Sequence, residues 1–333
     1  MTDRSGVITL AHGNGGRLMR ELIQDVFARH FAADVSSDAA CLPPVEGTLM
    51  VTTDGFIVDP LEFPGGDIGS LAVHGTVNDL AVSGATPQWL SLNFMIEEGF
   101  AIQRLEQIAA SLGAAALACG VVIVAGDTKV LPRGHGGGLY LAATGIGVRE
   151  PGLRLSMNHI RPGDCLIVNG SLGDHGTAVL LAREQFGMHG NLRSDSASVL
   201  PFTQAALSIP GLRFMRDPTR GGVATVANEI SLATCYRVVL NEATLPLRDE
   251  VRGVCDMLGY DPLYLACEGR VVAVVDPAHA SAVLARWHTL PGGEGAAWIG
   301  SIEAGRPGVV LRTILGGERI LDELEDDPLP RIC

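Results

Sequence analysis

The sequence predicts an α/β protein of two domains followed by an extended C-terminal arm. Short apolar stretches at 49–53, 121–125 and 139–148 alternate with helical periodicity at 68–83 and 102–119, as a mixed βα fold requires. A break over 149–163, with Pro151, Gly152, Pro162 and Gly163, precedes a new strand–loop–helix pattern that opens at Cys165. The terminal Pro328-Leu329-Pro330-Arg331-Ile332-Cys333 holds two prolines that fix φ and remove donors, so no helix is expected there. The expected layout is a glycine-rich leader and helix over 1–36, an N-terminal domain over 37–150, a C-terminal α/β domain over 160–315 and a flexible tail over 316–333.

In chain order, Gly13-Asn14-Gly15-Gly16 feeds a stretch with Leu18, Leu22, Ile23, Val26 and Phe27 at helical spacing, a segment that suits either a phosphate cradle or a flexible leader. The strand at 49–53 ends on Asp54-Gly55. The helix over 68–83 buries Leu71, Val73, Val77 and Leu80 and sets Thr76, Asp79 and Ser83 on one polar face, with His74 and Asn78 as a second polar pair. A solvated helix face would carry Lys and Glu, so these short oxygen-bearing side chains suggest a site. Residues 89–96 alternate as a half-buried strand, and the alanine-rich helix over 102–119 is stopped by Gly120. The apolar strand at 121–125 runs into Gly126-Asp127-Thr128-Lys129.

The second half opens with a strand at 165–168, a loop with Gly170, Gly173 and Gly176, and a helix from Thr177; the loop lacks the Lys-Ser/Thr ending of a P-loop, and a plain turn explains it as well. Asp217-Pro218-Thr219-Arg220-Gly221-Gly222 leads into a helix with Val223, Val226, Ala227 and Ile230 on one face. Glu268 stands between Cys267 and Gly269 before a strand at 271–275, where a carboxylate needs a functional reason to be buried.

Composition narrows the chemistry. The 333 residues carry a formal net charge of -13 with pI ≈ 5.1, which disfavours nucleic acid and anionic membrane as partners. Seven cysteines form no C-x-x-C pair, the pattern of a reducing cytoplasmic compartment, and no signal peptide or membrane-spanning apolar run is expected. Asp38, Asp54, Asp79 and Asp127 are hard oxygen ligands without accompanying His or Cys, as Mg²⁺ bound to a nucleotide triphosphate requires, and Lys129 would balance charge on a transferred phosphoryl group. About fifteen residues after Gly317, at ~3.3 Å each, would let Cys333 reach roughly 50 Å. Prenylation does not explain that thiol, because a C-a-a-X cysteine needs three residues after it.

Thr53-Asp54-Gly55, the Val77-Asn78-Asp79-Leu80 segment through Pro87, Gly126-Asp127-Thr128-Lys129, Asp217 to Gly222 and the terminal Pro330-Arg331-Ile332-Cys333 together resemble the carbamoyl dehydratases of NiFe hydrogenase maturation. That family lies in the superfamily of aminoimidazole ribonucleotide synthetase, selenophosphate synthetase and thiamine monophosphate kinase. The resemblance implies an aminoimidazole ribonucleotide synthetase-like fold: a homodimer paired through N-terminal domains that bind ATP and Mg²⁺, a C-terminal mixed-sheet domain and a mobile tail. It further implies nucleotide contacts from Gly16, Thr76, Asn78, Asp217 and Arg220, and metal contacts from Asp38, Asp54, Asp79 and Asp127. A carbamoyltransferase, HypF, would load Cys333. The loaded group would then be dehydrated to a thiocyanate, with Glu268 as base and Lys129 orienting it or the phosphoryl oxygen, and its cyanide passed to a HypC–HypD iron scaffold. Two other readings stay open at this point: a small-molecule ATP enzyme of the same superfamily, and a thiol carrier without catalysis.

Overall fold

The structure, a computed structural model, describes residues 6–31, 39–183, 190–325, 329 and 331–333. The first domain comprises α1 (Arg17–Leu22), β1 (Thr48–Phe56), the short pair β2 (Glu62–Phe63) and β3 (Gly66–Asp67), α2 (Ile68–Val82), β4 (Ala85–Glu97), α3 (Ile102–Cys119), β5 (Val122–Leu131) and β6 (Leu139–Arg149). The second comprises β7 (Cys165–Val168), α4 (Asp174–Ala182), α5 (Leu200–Leu207), β8 (Leu212–Arg216), α6 (Gly222–Thr234), β9 (Arg237–Asn241), α7 (Asp249–Leu258), β10 (Val272–Val275), α8 (Pro277–Trp287), β11 (Ala297–Glu303), β12 (Gly308–Arg312) and β13 (Glu318–Ile320).

Among the described residues the first sheet has four strands in the order β1-β6-β4-β5, antiparallel except for β4 and β5, which α3 joins as a parallel crossover. Alternation decides its faces. Leu90, Leu92, Phe94 and Ile96 of β4 and Leu139 and Leu141 of β6 turn to α2 and α3 and are buried with them. The opposite face stays open, with Leu49, Val51 and Val122 exposed to 56%, 66% and 46%. Asp67 caps α2, its Oδ1 accepting the Ser70 N–H at 2.9 Å. Gly120 ends α3 in the left-handed region at φ 69°, as its place after the apolar periodicity predicts.

The second sheet runs β13-β12-β9-β11-β7-β10-β8. β7 and β10 are buried at every position because α6 covers one face and α5 with α8 the other, so their sequences are continuously apolar rather than alternating. The tail expected over 316–333 starts later than that, since residues 318–320 pair with β12 and Leu321 is buried at 1% exposure.

Two features lock the domains together. Val179 and Leu180 of α4 pack in the first domain's core, and residues 190–199, with no helix or strand of their own, cross from one domain to the other. The Ser194 N–H donates to Pro64 O at 2.7 Å. Gly65 permits this approach: its φ is 106°, and a Cβ there would lie 2.9 Å from the Ser194 nitrogen.

Candidate active site at the domain junction

The site lies where β1 and α2 of the first domain face the loop between β8 and α6 of the second, in a cleft of ≈ 460 Å³. Thr52, Asp54 and Asp79 line one wall, and Arg216, Thr219 and Arg220 the other. Even positions of β1 turn toward α2, so Thr52 Oγ1 donates to Asp79 Oδ2 at 2.6 Å while Asp54 Oδ1 accepts the Gly55 N–H at 2.8 Å. Burial pushes the Asp54 carboxyl up, against the Gly55 N–H, and the negative Asp79 adds to the rise while Arg220 opposes it.

Beneath this wall, burial pushes Asp217 up to about 7, with Asp79 and Asp54 adding to the shift. Glu268 is 2% exposed, and its Oε1 finds no hydrogen-bond partner among the described residues. Burial drives its carboxyl well above the ordinary range, and Asp217, Asp195, Asp54 and Asp79 push in the same direction. Carboxyls crowded and buried in this way favour their protonated forms, and a cationic group entering the corner would favour their ionised ones. Among the described residues no three His, Cys, Asp or Glu side chains form a ready-made metal cage.

Asp217 yields a stability prediction. Between about 3.8, its ordinary value, and about 7, the unfolded chain has lost the proton that the folded chain keeps, so stability falls as pH rises through that window. Below the window the two states do not differ, and above it the full penalty applies. Asp217→Asn is expected to remove this slope in the nucleotide-free protein and to raise its stability at pH 8 by on the order of 4 kcal/mol. Thermal melts from pH 4 to 8 measure it, and equal slopes in both proteins would reject it.

Several expected site residues are placed otherwise. Asp38 lies outside the described residues. Asp127 and Lys129 pair with each other at 2.7 Å on β5, which continues through them instead of stopping before them. Opposite Asn93 and Met95 of β4, they stand on the sheet's open face at the far edge from β1, so within one chain Lys129 does not orient Glu268. Gly16 caps α1 on the β5 side, where a Cβ on the nearby Gly13 would meet Val130 at 3.1 Å. Thr76 is inside the core, its hydroxyl donating to Ala72 O at 2.8 Å and its methyl against Gly145 of β6.

Asn78, expected on the nucleotide, is spent on the protein: Nδ2 donates to Ala197 O and Glu268 O, both at 3.0 Å, and Oδ1 accepts the Val199 N–H at 2.8 Å. It holds the second domain's backbone, including the peptide that carries Glu268. Asn78→Ala leaves two buried backbone groups, Glu268 O and Val199 N–H, and one part-buried carbonyl, that of Ala197, without this partner and is expected to destabilise the fold by about 3 kcal/mol. Urea unfolding reads this directly; a change below the noise of the method would reject the role.

Asp195 carried no sequence signal. Its buried carboxylate accepts the Glu268 N–H at 3.1 Å and the Gly269 N–H at 3.3 Å, with Arg270 Nε 3.4 Å away. Gly269 is required here, because a Cβ would stand 1.9 Å from Asp195 O. His74 is held neutral by burial, which pushes it down to about 4, and its Nδ1 meets Ser196 Oγ at 3.1 Å.

The tail lies along the continuation of β1. Ile57 N–H donates to Cys333 O at 3.2 Å and Asp59 N–H to Arg331 O at 3.1 Å, an antiparallel register. Residue numbers therefore rise along the tail as they fall along β1, so Cys333 points toward Phe56 and Asp54. Three residue steps separate Ile57 from Asp54, roughly 10 Å. Leu329 and Ile332 are buried at 5% and 3% exposure, so the end of the chain is docked in this structure.

Residues 36–149 match the AIR synthase related protein N-terminal domain family and residues 161–312 its C-terminal domain family. The carbamoyl dehydratase HypE of Rhodobacter capsulatus is 46% identical over 340 residues, covering all of both chains. The chain belongs to the HypE family. A solved HypE in complex with ATP superposes with TM-score 0.92 at 44% identity, over 97% of this chain and 99% of that one. The HypE chain of a HypE–HypF complex superposes with TM-score 0.81 at 38% identity, over 93% and 100%. HypE architecture thus covers both domains.

Proposed function

We propose that this HypE-family chain is an ATP-dependent dehydratase whose substrate is the carbamoyl group on its own Cys333. The observation that carries the reading is the antiparallel docking of the tail, which sets the backbone of Cys333 beside Ile57, about three residue steps along the chain from Asp54 in the carboxylate cleft. A carbamoyl oxygen leaves poorly until it is a phosphate ester, so ATP serves to phosphorylate it. Loss of phosphate with the N–H protons then gives the thiocyanate. In the nucleotide-free chain burial keeps Glu268 protonated; in this reading a cation and nucleotide in the cleft favour its ionised form, which then takes a proton, while Asp195 and Asn78 hold its backbone in place. Asp54 and Asp79 would hold Mg²⁺, which supplies charge compensation for the phosphoryl group when bound. Arg220 lines the cleft that would receive the nucleotide, and Asp217 lies buried beneath it.

The open face of the first sheet supports a homodimer. Pairing Leu49, Val51 and Val122 against a second copy would bury them and carry Asp127 and Lys129 into the shared interface, which gives those two residues a role no single chain offers. HypF as carbamoyl donor, a HypC–HypD scaffold as cyanide acceptor and a cytoplasmic setting complete the reading. Among the described residues no helix is long and apolar enough to cross a membrane.

The test is the intact mass of the C-terminal peptide after incubation with the carbamoyltransferase and its donor, with and without Mg-ATP. Gain of one carbamoyl group, followed by loss of one water only with Mg-ATP, is expected. A tail that is never modified would move the substrate to a free small molecule; a tail loaded but never dehydrated would leave a thiol carrier.

A further inference from the structure

Two side chains of α4 grip consecutive carbonyls at the very end of the chain, and neither is part of the carboxylate cleft. His175 is 0% exposed; its Nε2 meets Ile332 O at 2.8 Å and its Nδ1 meets Ser194 Oγ at 2.8 Å. A carbonyl only accepts, so the Ile332 contact places the imidazole proton on Nε2 and leaves Nδ1 to accept from the Ser194 hydroxyl. Phe63 stands edge-on to the ring with centroids 5.2 Å apart, which fixes its plane. Arg183, which caps α4 at its C-terminus, donates from Nη2 to Arg331 O at 2.7 Å and from Nε to Asp59 O at 2.8 Å. In the tail Arg331 takes the left-handed region at φ 58°; its carbonyl accepts from both Asp59 N–H and Arg183, that of Cys333 accepts from Ile57 N–H, and that of Ile332 meets His175.

A satisfied core histidine is the ordinary explanation for such a ring. It does not account for a second grip by Arg183 on the neighbouring carbonyl. Nor does it account for Leu329 and Ile332 packing in the same cluster as Val179 and Leu180 of α4. We propose that His175 and Arg183 are positioning residues of a tail latch: α4 clamps residues 331–333 against the extension of β1 with Cys333 aimed at the cleft, and opening the clamp exposes the thiol to an external carbamoyl donor. The latch rests on Cys333 being the residue that carries the substrate, but its test does not use that chemistry.

The full-length chain is treated with iodoacetamide without nucleotide, and alkylation of Cys333 is followed by the mass of the C-terminal peptide. Cys41 and Cys235, both exposed, serve as internal controls. His175→Ala and Arg183→Met are each expected to speed alkylation of Cys333 about tenfold, the scale of one lost buried hydrogen bond acting on a local opening equilibrium, with the control cysteines unchanged. His175→Gln keeps an N–H donor and is expected to retain most of the protection. Arg183 is not in the core, so Arg183→Met decides the matter where His175→Ala fails to fold. An unchanged Cys333 rate in Arg183→Met overturns the latch, as does a wild-type Cys333 that reacts as fast as Cys41. A wild-type tail that is loaded but never dehydrated would sink the proposed function and leave these rates standing.

Discussion

A Cys333→Ser chain is expected to fold and bind nucleotide as the wild type does, yet to form no thiocyanate at all. The loss is complete because the side-chain atom is the substrate's attachment point and not one contributor among several. A seryl carbamate also lacks the leaving group that cyanide transfer requires, since a thiol ionises near 8.5 and an aliphatic hydroxyl far above it. The docked tail should survive, because its grips are made by the backbone carbonyls of residues 331–333 and by the side chains of Leu329 and Ile332. Intact mass after incubation with the carbamoyl donor and Mg-ATP is the measurement. Dehydration of a free small thiocarboxamide at the wild-type rate by this variant would return the reaction to a small-molecule enzyme.

Glu268→Gln is expected to accept the carbamoyl group normally and to slow its dehydration by roughly 10²–10⁴, the usual contribution of a positioned proton-transfer group. The substitution preserves shape, so the Asp195 and Asn78 hydrogen bonds to the backbone at Glu268 remain. It removes a carboxyl that burial and four acidic neighbours hold far above its ordinary value. Below that ordinary value the folded and unfolded chains are alike, and with rising pH only the unfolded chain releases its proton, so the wild type loses stability that the variant keeps. The variant should therefore melt at a higher temperature at neutral pH while dehydrating more slowly. A rate within a factor of three of wild type would remove Glu268 from proton transfer and turn attention to Asp217.

Local signals in the sequence were reliable where the chain's neighbours are local. The helix over 102–119 and its glycine stop, the helix after Asp67 and the wholly apolar strand at 165–168 follow from periodicity and capping, and the structure has all three. The helix after the glycine loop begins at Asp174 and not Thr177, because Gly173 takes φ 76° and so the first turn starts sooner. The site was legible only in part. The structure brings Asp54, Asp79, Asp217, Arg220 and Glu268 into one region, whereas Asp127, expected with Asp54 and Asp79, stands on the open face of the sheet. Asn78 and Thr76 looked like ligands because short polar side chains on a nearly uncharged helix imply a polar neighbour. For Asn78 that neighbour is the second domain's backbone, whose N–H and C=O groups need partners as surely as a nucleotide does. For Thr76 it is the carbonyl one turn back in its own helix. The side of the sheet on which Asp127 and Lys129 emerge depends on a pairing irregularity between Leu90 and Ser91, which no residue type announces. Asp195, in a serine-flanked coil, could be found only once the chain was folded.

The crossing segment at 190–199 is pinned residue by residue: Ser194 to Pro64 and His175, Asp195 to the backbone at Glu268 and Gly269, Ser196 to His74, and Ala197 and Val199 to Asn78. One short thread thus meets the histidine that holds the tail and, at the very next residue, the carboxylate that holds the base. A rotation of one domain against the other cannot loosen these attachments singly, because each shares its backbone with the next. Opening of the junction is therefore expected to be cooperative, the contact of Ser194 with His175 and the hold of Asp195 on the backbone at Glu268 being lost together.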